Sequence, residues 1–234
     1  MINHVTRFTD AQQAWEQWNL APFDHKLSQL QAFSAALQQG NATLAKVCQY
    51  QLEQGKKWLA QPHRLIGPTG ETNELYTAGR GVALLILDNT DHYQQAQQSM
   101  MAMLSAALLA GNAVLLCSDD ITFNNAVNNA MQQAQLPAHL LHIIAFDAYP
   151  VLLGCDIRSA GYIGSSQVEL SLNLQLAKRD GVIVGLVSET DLPAMSLAHD
   201  PLLALRFITE RTRTINITAV GGNATLLELG SAAH

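Results

Sequence analysis

The sequence has few charged residues, and this shortage excludes whole classes of partner. Only 14% of the 234 residues are charged, and 13 lysines and arginines stand against 19 acidic residues, for a formal net charge of -6. Nucleic acids and anionic membranes are normally bound by basic surfaces, so we expect neither as a partner. With 48% hydrophobic residues, the chain is long enough and apolar enough to bury a core without disulfides or metals, and extensive disorder is excluded.

Cysteines are also scarce. The sequence has three, at Cys48, Cys117 and Cys155. They are far apart and have no CxxC spacing, so we expect reduced thiols rather than a disulfide framework or a zinc site. The N-terminus has no apolar run typical of a signal peptide. The mostly apolar stretch 100–117 contains a Gly111-Asn112 pair that indicates a turn rather than a membrane span. We therefore predict a cytoplasmic protein.

The pattern along the chain predicts a single domain over 1–234 with three parts. Residues 1–60 have apolar residues at helical spacing and should form N-terminal helices. Residues 80–190 alternate short apolar runs with helical patterns, which predicts a Rossmann-like core. Residues 61–79 and 205–234 are expected to form a projecting β-flap.

The predicted core is an α/β fold with a doubly wound parallel sheet. Its first strand, 81–87, is a continuous apolar run of the kind buried on both faces of a parallel sheet. Further strands are expected at 113–117, 140–146, 157–163 and 182–187, with helices at 92–110, 122–134 and 166–178. Short strands separated by helices imply right-handed crossovers.

The β-flap is predicted from two segments with a different pattern. Residues 73–78 are extended, and residues 209–220 alternate polar and apolar side chains, as in a partly exposed strand. These two strands alone would form a marginal ribbon with unpaired edges, which a partner sheet would complete by strand addition. Tyr76, Ile215 and Ile217 are the candidates for its apolar contacts.

Two groups at the expected carboxyl edge of the sheet are candidate ligand sites. Gly164, Ser165 and Ser166 open a helix and could bind a phosphate through free N–H groups, or could form an ordinary turn with a serine cap. Asp88 lies where open α/β sheets hold their ligands, or it belongs to a solvated loop in which Asp91 caps the next helix. The capped turn and the solvated loop are the favoured interpretations.

Two further pairs are open to a structural or a functional interpretation. Arg211 and Arg213 alternate on the flap and could pair with carboxylates of a partner or protect an exposed strand edge from aggregation. His139 and His142 are three residues apart on an expected strand, so their side chains should point to opposite faces, and no metal site is predicted. Cys117 ends an apolar strand and is interpreted as a small buried hydrophobe rather than a reactive thiol.

Four segments carry a resemblance to a known family. Residues 80–82 resemble the "GV" segment of the aldehyde dehydrogenase superfamily, and residues 109–116 resemble its "AL-AGN-VVLK" segment. Residues 134–138 are similar to its "AGLPAGV" segment, and residues 162–166 to its "F-T-G-S-T" segment. The resemblance implies that superfamily's NAD-binding fold. Two more segments, 67–73 and 214–226, resemble the C-terminal domain of proline utilization A, the bifunctional enzymes that oxidise proline and then glutamate semialdehyde.

The sequence departs from that family where its chemistry resides. Only residues 189–201 separate the last core strand from the flap, so the catalytic domain carrying the family's nucleophilic cysteine is missing. Cys117 replaces the lysine that would reach the adenosine ribose. Asn89 is one place out of register with the oxyanion asparagine, and Glu189 does not match the general-base glutamate. No catalytic residue is therefore assigned, and no cofactor is expected, although the family would imply NAD.

These departures favour an interaction protein over an enzyme. The first hypothesis is a non-catalytic aldehyde-dehydrogenase-like protein whose β-flap mediates self-association or covers a glutamate-semialdehyde dehydrogenase of proline catabolism. The expected partners are thus a second copy, an aldehyde dehydrogenase or a proline utilization A protein. The alternative is an NAD-dependent 1-pyrroline-5-carboxylate dehydrogenase, or an NAD-binding subunit of one. A third hypothesis is a sensor of a small ligand or nucleotide in the remaining crevice.

Overall fold

The computed structural model describes residues 2–65 and 71–216. The elements run in the order α1 (Ile2–Leu20), α2 (Phe23–Gly40), α3 (Ala42–Leu59), β1 (His63–Leu65), β2 (Glu71–Gly79), β3 (Val82–Leu87), α4 (Tyr93–Leu109), β4 (Ala113–Ser118), α5 (Ile121–Ala134), β5 (Leu141–Ile144), α6 (Tyr149–Leu152), β6 (Ser159–Ile163), α7 (Ser166–Ala177), β7 (Leu186–Glu189), α8 (Ser196–His199) and β8 (Ile208–Asn216). Short 3-10 helices cover Phe146–Ala148 and Leu203–Phe207.

Strands β3 to β7 form the central sheet. Its order is β5-β4-β3-β6-β7, and every neighbouring pair is parallel. All six residues of β3 and all six of β4 are buried, as expected for strands covered on both faces. The strand order reverses between β3 and β6, which is the switch point of a doubly wound sheet. The predicted α/β fold class is confirmed.

The helices that connect the strands are shaped by their burial. The second half of α4, Met100–Leu109, is buried all round, because α4 lies between the sheet and the helices α2 and α3. Asp120 caps the start of helix α5, and its side chain accepts a hydrogen bond from the amide of Phe123 at 2.9 Å. Gln135 caps the other end and has left-handed backbone geometry with φ 50°.

The N-terminal helices share the core of the sheet domain. Helix α1 contacts β3, β4 and β5, and its Trp18 side chain is buried with the indole N–H donating to the carbonyl of Leu108 at 2.8 Å. A single cluster of buried hydrophobic side chains extends from Phe8 on α1 to Ile208 at the start of β8.

A second, smaller sheet forms the β-flap, which we define as strands β1, β2 and β8. Its order is β1-β2-β8, and both pairs are antiparallel. Strands β2 and β8 pair along their whole length, from Glu71 opposite Asn216 to Gly79 opposite Ile208. The sequence pattern predicts a ribbon of two strands. That prediction was incomplete, because the short segment of β1 adds a third strand.

The last core strand lies further along the chain than predicted. The apolar residues Val182 and Ile183 precede β7, and Ile183 is 91% exposed. Only residues 186–189 pair with β6, so the prediction of a strand at 182–187 was wrong in position. Residues 190–207 then lead to β8 and contain only α8 and a 3-10 helix. No additional domain is inserted between β7 and β8.

None of the helices in the described part of the chain is both long and apolar enough to cross a membrane.

Candidate functional site

The switch point between β3 and β6 brings together two of the predicted site groups. Asp88 follows β3, and residues 164–166 follow the adjacent strand β6. In doubly wound sheets a ligand crevice opens at this point, outside the carboxyl ends of the strands. Whether such a ligand fits depends on which side chains occupy the crevice.

Tyr162, the penultimate residue of β6, bridges the two groups. Its hydroxyl donates to Asp88 Oδ2 at 3.0 Å and accepts the amide of Ser165 at 2.8 Å. Burial raises the pKa of Tyr162 to about 12, opposed by the hydrogen bond with Ser165 and supported by Asp88. The phenol is therefore protonated at neutral pH and is a hydrogen-bond donor to the carboxylate. Tyr162 was not among the site residues predicted from the sequence.

The space beside Gly164 is filled. A Cβ atom placed on Gly164 would overlap the Tyr162 hydroxyl and would lie 2.7 Å from Asp88 Cβ. A phosphate approaching the same point would meet these atoms and the negative charge of the Asp88 carboxylate, which opposes anion binding.

Two of the amides at the start of α7 already have acceptors. The Ser165 amide donates to Tyr162, and the Val168 amide donates to Ser165 Oγ at 3.4 Å, which makes Ser165 the N-cap. Ser166 is the first residue of α7. This arrangement matches the capped turn, which was the favoured interpretation of the Gly164-Ser165-Ser166 segment. The cap predicted at Asp91 was wrong: the residue before α4 is His92, which makes no side-chain cap.

Two acidic side chains near the end of β7 are used within the fold. Glu189 is 5% exposed, and its Oε2 accepts the amide of Leu197, at the start of α8, at 2.8 Å. Ser188 donates its hydroxyl proton to the carboxylate of Glu169. Each carboxylate therefore already accepts one hydrogen bond from within the fold.

The cysteines show no sign of activation, and all three lie among the described residues. Burial raises the pKa of Cys48 to about 11 and that of Cys117 to about 12. The pKa of Cys155 is also raised by burial, with Arg179 opposing the shift. A nucleophilic cysteine requires a lowered pKa, so none of these thiols has the environment of a catalytic residue.

The β-flap presents one mixed face that contains two of the predicted interface residues. Residues directly opposite in an antiparallel pair share a face, so Tyr76 lies with Arg211, and Ile215 lies on the same face two pairs away. Arg213 forms a two-nitrogen ion pair with Glu74, the residue opposite it. Ile217, the third predicted interface residue, lies outside the described residues.

The ion pair between Arg213 and Glu74 bears on whether the two flap arginines could bind carboxylates of a partner. Its guanidinium is bound within its own sheet, and Glu74 raises its pKa. It is therefore not a free cation awaiting a partner's carboxylate. Arg211 instead lines a shallow cavity with Tyr76 and the end of α4.

Asn112 joins the β-flap to the core. Its Oδ1 accepts the amides of Arg80 at 2.8 Å and Gly81 at 3.2 Å, just before β3. Its Nδ2 donates to the carbonyls of Ala107 and Phe207, both at 2.9 Å. The side chain is fully buried. One amide group thus connects the end of α4 and the starts of β3 and β8.

A second contact at the flap base is made by backbone atoms. A Cβ atom on Gly79, at the end of β2, would overlap the carbonyl of Gly111 and lie 2.9 Å from the amide of Asn112. The Gly79 amide donates to Asn19 Oδ1 at 2.8 Å. Only a residue without a side chain allows β2 to approach the α4–β4 turn this closely.

Lys26 beside this contact gives a pH-dependent prediction. Its ammonium group donates to the carbonyl of Asn19 at 3.0 Å, and burial lowers its pKa from 10.5 to about 8. Between these two values Lys26 binds more protons in the unfolded chain than in the folded one, so its own contribution to the free energy of unfolding should rise as pH increases from 8 towards 10. The raised pKa values of Cys48, Cys117 and Tyr162 act in the opposite direction, so the effect of Lys26 is measured as a difference between variants. Replacing Lys26 by methionine should stabilise the protein by about 1 kcal/mol at pH 7, and this gain should shrink towards pH 10. Urea denaturation at a series of pH values measures both effects.

The matched control for this prediction is Lys46→Met on the exposed surface of α3. Its stability profile should run parallel to that of the wild type. Parallel profiles for Lys26→Met and wild type would contradict the assigned cause.

The expectation that His139 and His142 point to opposite faces was wrong. His139 precedes β5 in a turn and has φ 64°, so only His142 belongs to the strand. The two imidazole rings lie 5.3 Å apart between centroids, and Asp10 of α1 lies beside them. Burial and the neighbouring His139 lower the pKa of His142. Strand periodicity does not relate the two side chains, because the chain turns between the two histidines.

Comparison with known proteins supports the family suggested by the sequence motifs. No model of a known protein family matches the sequence. The bifunctional protein PutA of Escherichia coli is 27% identical over 166 residues, and that of Salmonella typhimurium 26%. Each alignment covers 71% of this chain and 11% of the relative. The chain thus matches only about a tenth of the length of these relatives.

Solved structures agree with this result. A variant of proline utilization A from Bradyrhizobium japonicum superimposes with a TM-score of 0.68 at 26% identity, over 80% of this chain and 22% of that one. The 1-pyrroline-5-carboxylate dehydrogenase from Thermus with bound NAD superimposes with a TM-score of 0.67 at 15% identity, over 81% of this chain and 42% of that one. The chain has the aldehyde dehydrogenase fold. Its resemblance to proline utilization A is confirmed.

Proposed function

We propose that this chain is a non-catalytic aldehyde-dehydrogenase-like protein of proline catabolism that acts through its β-flap. It either associates with itself or assembles with a glutamate-semialdehyde dehydrogenase. The observation that carries the proposal is that the two outer strands of the flap have free edges. Within the described residues, β1 and β8 each pair only with β2, so each presents a free edge for strand addition.

The side chains on these outer strands suit a docking surface. Leu65 on β1 is 41% exposed and Ile215 on β8 is 50% exposed. Apolar side chains beside an unpaired edge favour aggregation unless a partner covers them. Tyr76, Ile215 and Ile217 remain our predicted contacts.

The switch point supports the non-catalytic part of the proposal. Tyr162 and Asp88 fill the space beside Gly164 where a cofactor phosphate would approach. The thiols have raised pKa values, and the carboxylate of Glu189 is committed to a backbone amide. Acyl transfer to a thiol requires a nucleophile, a base and an oxyanion donor together.

Titration with NAD tests this part directly. Isothermal calorimetry on the full chain should show no binding below the millimolar range, and glutamate semialdehyde should produce no NADH. The Thermus dehydrogenase, whose structure holds NAD, is the positive control. Micromolar binding accompanied by NADH formation would replace our proposal with the alternative of an NAD-dependent dehydrogenase.

The flap is tested by placing a charge on its outer strands. Ile215→Lys and Leu65→Lys should each weaken association by about tenfold or more, because a lysine must be desolvated at the interface. Sedimentation velocity measures self-association of the full chain and its binding to E. coli PutA. The matched control is Leu174→Lys on α7, where leucine is 55% exposed.

Either form of association, lost in the flap variants and kept in the control, supports the proposal. A wild-type chain that stays monomeric and does not bind PutA would overturn it. Equal weakening by Leu174→Lys would show that the flap is not the interface.

A further inference from the structure

Three side chains from separate elements converge near the amino end of β5. They are Asp10 on α1, His139 in the turn before β5, and His142 on β5. One ligand atom from each lies within 4.8 Å of the other two. Asp10 Oδ2 and His139 Nδ1 are 4.0 Å apart.

The ligand atoms of this cluster have few competing partners. Nε2 of His142 is buried and has no hydrogen-bond partner among the described residues. A buried imidazole nitrogen without a partner is costly, and a metal ion is one group that satisfies it. The distance of 4.0 Å between Asp10 and His139 exceeds a normal hydrogen bond, so these two atoms are also available to a shared ion.

We propose that Asp10, His139 and His142 form a binding site for a divalent transition metal of the zinc class. Two imidazoles and one carboxylate are a common three-ligand set for Zn²⁺, leaving a fourth position for water. That set also distinguishes the site from the oxygen-only cages preferred by Ca²⁺ and Mg²⁺.

The ligands need only a small movement to close on an ion. Ligand atoms of a tetrahedral zinc site are about 3.3 Å apart. The separation of 4.0 Å between Asp10 and His139 must therefore shrink by about 0.7 Å, and the others, which reach at most 4.8 Å, by up to about 1.5 Å. The side chains of His139 and Asp10 are 54% and 35% exposed, which leaves them free to rotate. A groove of about 390 Å³ that includes both residues lies between α1 and the turn and gives an ion access from solvent.

Arg7 is expected to weaken the binding of a metal ion at this site. Its Nη1 donates to the carbonyl of Ile143 at 3.1 Å, which holds a positive charge near His142. This charge repels a cation and partly cancels the attraction of Asp10. We therefore expect affinity in the micromolar range. A bound ion would fasten α1 to the β5 edge of the sheet and stabilise the folded chain by mass action.

The experiment titrates the full chain with Zn²⁺ alone by calorimetry, and with Co²⁺ followed by visible absorption. One Zn²⁺ should bind per chain, and Co²⁺ should give the intense bands of a low-symmetry, four- or five-coordinate site. Excess Zn²⁺ at about ten times Kd should raise Tm by roughly 3–6 °C. Asp10→Asn, His139→Ala and His142→Ala should each weaken binding by about tenfold or more.

The control His92→Ala removes an exposed histidine elsewhere on the surface. It should bind Zn²⁺ as the wild type does. Because Asp10 and His139 are partly exposed, their variants should fold normally, and circular dichroism checks this. No saturable binding by the wild type, or binding that all three variants retain, would overturn the proposal.

Discussion

Replacing Asn112 by leucine is expected to lower the free energy of unfolding by about 4 kcal/mol. The two side chains have similar volumes, so packing changes little. The variant, however, leaves the amides of Arg80 and Gly81 and the carbonyl of Phe207 without the partner that the Asn112 side chain now provides. The carbonyl of Ala107 keeps its bond from the backbone amide of residue 112. Each buried group left without a partner costs about 1–3 kcal/mol, and partial relaxation keeps the total below the sum. Guanidinium denaturation followed by circular dichroism measures the loss.

Two companion variants make this prediction specific. Asn128→Leu makes the same chemical change on the exposed face of α5 and should alter stability by less than about 0.5 kcal/mol. Asn112→Asp keeps the acceptor for Arg80 and Gly81 but loses both donated bonds and buries a charge. It should also be strongly destabilised. Similar losses for Asn112→Leu and Asn128→Leu would refute the role assigned to the buried amide.

Replacing Gly79 by alanine is expected to cost about 3 kcal/mol. The added methyl group would meet the carbonyl of Gly111 and the amide of Asn112, and backbone atoms in a tight turn cannot rotate away as a side chain can. Strand β2 would have to move, which would also stretch the bond between the Gly79 amide and Asn19. Chemical denaturation gives the overall cost.

Hydrogen exchange locates the effect of this substitution. Amides of β2 and β8 should exchange faster in Gly79→Ala, while those of β3 and β4 remain protected. The matched control is Gly185→Ala, since nothing lies within 4 Å of the added Cβ. It should be neutral or slightly stabilising. A loss of stability equal to that of the control would show that the flap base tolerates a side chain.

The central sheet could be predicted because its strands are unusually apolar. Residues 82–87 and 113–118 are buried on both faces, and continuous apolar runs bounded by turn signals specify such strands. The same rule misplaced β7. Val182 and Ile183 are equally apolar, yet they lie before the strand and are exposed. Pairing with β6, rather than hydrophobicity, fixes where β7 begins.

The sequence predicts where the ligand crevice at the switch point should lie, but not which side chains occupy it. Strand order and the Gly164-Ser165-Ser166 turn indicate where a ligand crevice should open, because parallel strands end at one edge. The occupation of that crevice by Tyr162 depends on the hydroxyl meeting Asp88, 74 positions earlier in the chain. The cluster at Asp10 depends in the same way on α1 lying against β5. Periodicity within one segment carries no information about either contact.

The occupation of the switch-point crevice by Tyr162 and Asp88 also has a consequence for the turnover of the protein in the cell. Many cofactor-binding enzymes are stabilised by their ligand, so their turnover follows its supply. Here the Tyr162 hydroxyl, the Asp88 carboxylate and the Ser165 amide satisfy one another without a ligand. Under the proposed function, the abundance and half-life of this chain should therefore be insensitive to the nicotinamide pool.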